Sequence, residues 1–219
     1  MKFPILYSFK RCPYAMRARM AIKLTNIRCE IREIRLNNKP EHMLKISPKG
    51  TVPVLILEDK IIDESMEIIE WALDQDNIFE GNLNENEVVL SEELISIFDD
   101  KFKYHLDRYK YAARYNNANS NKHRSQCMKI LIELNQIISH EKWIFGKSIN
   151  KLDISILPFI RQYRIANPEW FDMQESIHSV KRLLDNFQES ELLNEIMTNY
   201  DEWEEGSKPE YFPIFNSLS

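Results

Sequence analysis

A chain of 219 residues has room for one large domain or two modest ones, each with its own core. Its 43% apolar and 29% charged residues are ordinary for a folded globular protein and exclude intrinsic disorder, and a formal charge of -5 argues against an electrostatic grip on nucleic acid or anionic lipid. No run approaches the roughly 18 apolar residues of a membrane helix, and the apolar start at residues 3–7 is cut off by Lys10 and Arg11 before it forms a signal-peptide core. Three widely spaced cysteines make no disulfide framework, so a reducing, cytoplasmic setting is expected.

In chain order, residues 5–7 read as a strand and residues 13–24 as a helix built on Met16, Met20, Ala21 and Leu24. Residues 29–34 form a second strand and 41–46 a short helix; Pro48-Lys49-Gly50 then breaks the chain. Residues 52–57 and 60–62 are two strands of a hairpin with a polar tip, and residues 65–74 close the unit as an amphipathic helix. The order βαβ-α-ββα describes a layered α/β unit, residues 1–76, whose first two strands run parallel because a helix connects them.

Residues 77–86 are polar and read as a linker. From 87 to 219 the periodicity is helical throughout, in segments near 87–115, 121–140, 153–166, 177–186 and 192–200, so an all-helical second domain without strands is expected. Its clearest start signal is Asn150-Lys151-Leu152-Asp153, an N-cap residue followed three positions later by a carboxylate. Lys101, Lys103, Arg108, Lys110 and Arg114 alternate with Tyr104, Tyr109, Tyr111 and Tyr115; at helical spacing this is one solvated face beside one packed face rather than a nucleic-acid surface. The tail from Pro209, with Tyr211, Phe212, Pro213 and Phe215, is expected to pack back onto a domain.

Cys12 is the residue that carries chemistry. It stands between the first strand and the first helix, where unpaired backbone N–H groups and the positive end of the helix dipole favour thiolate over thiol. Lys10 and Arg11 add positive charge, and Pro13 suits the first helical position. Cys29 and Cys127 lack such surroundings and read as structural. Four glycines cannot build a dinucleotide or phosphate loop, and the five histidines show no metal-ligand spacing, so no metal site is expected.

The Cys-Pro-Tyr-Ala stretch at the first helix, the Val52-Pro53 step and Glu64-Ser65 at the last helix of the unit resemble the thioredoxin-like domain of glutathione S-transferases. The resemblance runs on through Phe145-Gly146 and the Asn150 to Asp153 box into the helical half. A cysteine at this site is similar to the omega class and other cysteine-type members, as is the Asn37 to Glu41 segment. The resemblance implies a thioredoxin-like N-terminal domain followed by an all-helical C-terminal domain, with glutathione as co-substrate. Val52, before a cis Pro53, would pair its backbone with the cysteinyl unit, and Ser65 and Glu64 would receive the γ-glutamyl carboxylate and ammonium. Lys39 would meet the glycyl carboxylate, with Leu36 and Tyr14 lining the thiol. Taken singly, Ser65 also suits a plain N-cap, Lys39 a solvated charge and Pro53 an edge-strand start.

With Ala15 where dithiol glutaredoxins carry a second cysteine, a monothiol exchange through Cys12 follows, that is, a glutathione-dependent thiol transferase or reductase of thioltransferase or dehydroascorbate-reductase-like type. Two alternatives stay open: a glutathione-conjugating transferase, and a non-catalytic binding or regulatory module on the same fold. The second substrate, a small electrophile or disulfide, is expected against Tyr104, Arg108, Tyr111 and Arg114, and the family implies a homodimer.

Overall fold

Residues 3–116 and 118–214 are described by the structure, a computed structural model. They form two units, one of residues through Ile78 together with those from Ser190 onward, the other Phe79–Glu189. The first unit is a five-stranded mixed sheet in the order β4-β3-β1-β2-β5 with helices against it. Strands β1 (Ile5–Ser8) and β2 (Cys29–Glu33) pair in parallel, Leu6 opposite Ile31, across the connecting helix α1 (Pro13–Leu24). After α2 (Glu41–Ile46) the short hairpin β3 (Val54–Ile56) and β4 (Ile61–Ile62) adds antiparallel to β1, and α3 (Ser65–Gln75) follows. The Val52-Pro53 and Phe212-Pro213 peptide bonds are cis.

Helix α1 is buried from Ala15 to Ile22 without a polar face, because α3 and α10 (Glu191–Ile196) flank it and the sheet lies beneath. Two of those buried residues are arginines, Arg17 and Arg19, both without solvent exposure. On the sheet, Tyr7, Ala15, Ile34, Met43, Val52 and Val54 make one apolar cluster, with Cys12, Phe9 and Trp203 packed at its margin.

The second unit is helical: α4 (Glu85–Ile97), α5 (Lys103–Lys110), α6 (Ser120–Asn135), α7 (Lys151–Ala166), α8 (Pro168–Asp172) and α9 (His178–Gln188). The expected single helix near 87–115 is broken by one π turn, Phe98–Phe102, and by a 3-10 turn at Ala112–Arg114. Buried Phe98, Phe102 and Leu106 recur every four residues, more than the 3.6 of an α-helix; the wide turn absorbs the difference and stacks the two phenylalanine rings at 4.5 Å. The capping box at Asn150 forms as expected: its Oδ1 accepts from Leu152 N–H at 2.8 Å, and buried Asp153 accepts from Asn150 N–H at 2.9 Å and Ile144 N–H at 3.1 Å. A second box stands at the start of α4, where Asn84 accepts from Glu87 N–H and the Glu87 carboxylate accepts from Asn84 N–H; the helix thus begins inside the expected linker.

One expectation is corrected here. Residues 87–219 do not form a single strandless domain, for the stretch after Ser190 packs with the first unit. There α10 (Glu191–Ile196) lies along α1, and β5 (Glu210–Phe212) adds antiparallel to β2, with Cys29 opposite Phe212. An exposed β2 edge would leave a row of unpaired backbone groups, and the tail covers it. The expected return of Tyr211, Phe212 and Pro213 onto a domain is thereby explained, while Phe215 lies outside the described residues.

Two stability measurements check these assignments. Phe212→Ala, removing a ring that is 1% exposed, should lower the unfolding free energy by about 3–5 kcal/mol in denaturant titrations. Asp153→Ala, which strands two buried N–H donors, should cost about 1–3 kcal/mol in the same assay.

Candidate active site

A tight turn sets the position of Cys12: its N–H donates to Phe9 O at 2.9 Å, and Cys12 then serves as the N-cap of α1 with extended backbone, its carbonyl accepting from Met16 N–H at 2.9 Å. Pro13 occupies the first helical position. The Cys12 thiol is half-buried and donates to Val52 O at 3.6 Å, so the turn before α1 and the loop before β3 meet at the sulfur. Cys29 and Cys127 are sealed in the two cores; burial pushes the Cys29 thiol up to about 12 and the Cys127 thiol up as well.

Other expected residues belong to the same unit. Ser65 opens α3, buried at 4% exposure, and its Oγ accepts from Arg17 Nη1 at 3.4 Å. Arg17 in turn lies under the Tyr14 ring, 5.5 Å from its centroid, so one buried guanidinium links Tyr14 to Ser65. Lys39 lies over Gly50: a β-carbon built on that residue would stand 3.6 Å from the Lys39 ammonium, and the backbone there has a φ of +63°. The loop carrying Val52 and Pro53 therefore has glycine where both conformation and space call for it. Pro53 is buried; Leu36 stands 47% exposed on a cleft of about 450 Å³ that Phe9, Arg11, Asn37, Tyr200 and Glu202 also line.

Glu64 is exposed and forms an ion pair with Lys49, whose ammonium also donates to Asp63 O at 2.9 Å. A hydrogen bond from Ser47 Oγ to Asp63 at 2.6 Å, with Lys49 beside it, holds the Asp63 carboxyl below its usual range. Nothing in the sequence marks Lys49, Asp63 or Arg17 as site residues. Lys49 sits in a loop that reads only as a chain break, and Arg17 falls on a helix whose burial on all sides is a tertiary outcome.

Tyr104, Arg108, Tyr111 and Arg114 belong to the second unit. Arg108 stacks 3.5 Å above the Tyr104 ring centroid and 4.4 Å from that of Tyr115, and Arg114 lies 4.4 Å from that of Tyr111, so the four form two separate cation-π groups. Packing of α5 against α6 also brings His105 and His123 together, Nδ1 to Nδ1 at 2.7 Å. Among the described residues no three His, Cys, Asp or Glu side chains gather as metal ligands, and no helix is long and apolar enough to cross a membrane.

A thiol at a helix start, a Val52-Pro53 loop facing it and a Glu64-Ser65 step at α3 stand together on a thioredoxin-like domain. The family model of the glutathione S-transferase N-terminal domain matches residues 6–81. A probable glutathione transferase of Aplysia californica is 36% identical over 62 residues, 28% of this chain and 67% of that one, and omega-1 glutathione S-transferase of Rattus norvegicus is 42% identical over 67 residues, 30% and 28%. The stretch aligned to the rat protein thus spans little more than a quarter of that protein's length. In structure, omega 3C glutathione transferase from Trametes versicolor superposes with a TM-score of 0.76 at 18% identity, covering 92% of this chain and 91% of that one. The chain belongs to the glutathione S-transferase family.

Native-state alkylation separates the three thiols. A maleimide or iodoacetamide added to the folded protein should modify Cys12 alone, with Cys29 and Cys127 reacting only after denaturation, as peptide mass spectrometry will read.

Proposed function

We propose that this protein is a glutathione-dependent thiol transferase working through Cys12. The observation that carries the reading is the contrast among its thiols: Cys12 is partly open at the N-cap of α1 beside the Val52 carbonyl, and the other two are shut in apolar cores. The donor set around it suits a tripeptide with two carboxylates and one ammonium. Lys39 supplies a cation, Glu64 an anion, Ser65 a hydroxyl at a helix start, and Val52 backbone groups for antiparallel pairing. Tyr14 and Leu36 would line the thiol, and the omega name of the rat relative accords with the resemblance to cysteine-type members.

In the proposed cycle the Cys12 thiolate attacks the glutathionyl sulfur of a mixed disulfide. The bond to the substrate sulfur breaks, the substrate leaves as a thiolate that takes a proton from water, and Cys12 carries the glutathionyl group. Cys12 is regained as thiolate when a second glutathione, reacting as thiolate, removes that group as glutathione disulfide. One disulfide is consumed and one is made, with glutathione as the reductant and no other oxidant or reductant required. Ala15, one helical turn on, offers no resolving thiol, and the cycle stays monothiol. The helix start favours the anionic sulfur both as nucleophile and as leaving group.

Two assays test this. The rate of Cys12 alkylation against pH should titrate between about 3.5 and 7.5, and a midpoint near the ordinary 8.5 would remove the mechanism. Cys12→Ser should abolish reduction of hydroxyethyl disulfide by glutathione while leaving or raising conjugation to an electrophile; the opposite pattern would make the protein a conjugating transferase.

A further inference from the structure

Arg19 is fully buried on α1, and its guanidinium reaches three partners from different parts of the first unit. Nε donates to Ser8 Oγ on β1 at 2.8 Å, Nη1 to the carbonyl of Ile196 at the end of α10 at 2.8 Å, and Nη2 pairs with Glu33 at the end of β2. The other oxygen of Glu33 accepts the backbone N–H of Lys10 at 2.7 Å. Lys10 is the second residue of the turn that delivers Cys12 to its N-cap, a turn closed by Cys12 N–H on Phe9 O. That turn meets the C-terminal segment a second time, where the Lys10 ammonium donates to Asn199 Oδ1.

We propose that Glu33, locked by buried Arg19, is a positioning residue that fixes the turn before Cys12 and couples its geometry to the segment after Ser190. The proposal rests on the reading of Cys12 as nucleophile. A carboxylate is needed because one group must accept from a guanidinium and from a main-chain N–H at once, in two directions. An amide offers one oxygen only and turns its own N–H groups on a partner that also donates. The charge on Glu33 is matched by Arg19, so its effect on the thiol lies in where it holds the chain. If the turn relaxes, the sulfur moves off the axis of α1 and away from the unpaired N–H groups of its first turn, and stabilisation of the thiolate falls within that short distance.

The sign of the effect makes the test sharp. Glu33→Gln and Glu33→Ala remove a negative charge near the thiol, which through field alone would lower the pH midpoint of Cys12 alkylation; loss of positioning raises it. We expect a rise of about one pH unit, a roughly tenfold smaller thiolate fraction below the midpoint, with part of the loss restored in Glu33→Asp, which keeps both acceptor oxygens. A folded variant, judged by near-ultraviolet circular dichroism, whose midpoint is unchanged or lowered overturns the proposal. Should the variants not fold, amide hydrogen exchange on the unaltered protein decides: the Lys10 N–H must be protected, and exchange as fast as that of an exposed amide overturns the proposal. A wild-type midpoint near 8.5 undoes the nucleophile reading and this proposal with it, whereas a depressed wild-type midpoint with unmoved variants undoes only the proposal.

Discussion

A guanidinium with no access to water must find its partners inside the protein, and Arg19 finds them on β1, β2 and α10 together. The requirement explains why the last stretch of the chain belongs with the first unit. The final carbonyl of α10 would otherwise stand unpartnered at a buried helix end, and the Tyr200 and Phe212 rings of the same segment close over the guanidinium at 5.9 and 6.0 Å. Pairing of β5 along β2, and the donation from Trp203 N–H to Glu33 O at 2.8 Å, complete the cover. The sheet edge, the buried cation and the tail are one arrangement.

The site uses the same economy of backbone. Cys12, Val52 and Ser65 each stand where a turn or loop hands over to regular structure, so the groups meeting there are main-chain donors and acceptors held by the sheet rather than by long side chains. Long side chains arrive from the rim: Lys49 ties Glu64 and Asp63 together from a loop held by Ser47, and Lys39 crosses Gly50 from the far side. The centre is thus held by main-chain groups, and the charged groups lie at a more exposed margin.

In the second unit, helix starts carry much of the order. Asn84, Asn119, Asn150 and Asn167 each accept from N–H groups of their own helix. Helix α9 has no such cap of its own: its early N–H groups, from Ser179 and Val180, donate to Asn135 Oδ1 at 2.8 and 3.3 Å, a cap lent by the end of α6. Helix α6 ends at Asn135, short of the residue 140 its periodicity suggests, and α9 begins on this borrowed cap.

Periodicity, capping and turn chemistry act over a few residues, and whatever they govern was legible in the chain alone: the order of strands and helices through Gln75, the parallel pairing forced by α1, the box at Asn150, and a thiol at a helix start flanked by Lys10 and Arg11. The π turn, the borrowed cap of α9, the strand β5 and the two buried arginines were not, because each depends on what packs against the segment from a distant part of the sequence. The same division holds at the site. Sequence placed Cys12 at a helix start through the residues on either side of it, whereas only the tertiary structure decided that Arg17 joins Tyr14 to Ser65, that Lys49 holds Glu64, and that Glu33 reaches the turn from another strand, since those contacts require the chain to be folded before the groups meet.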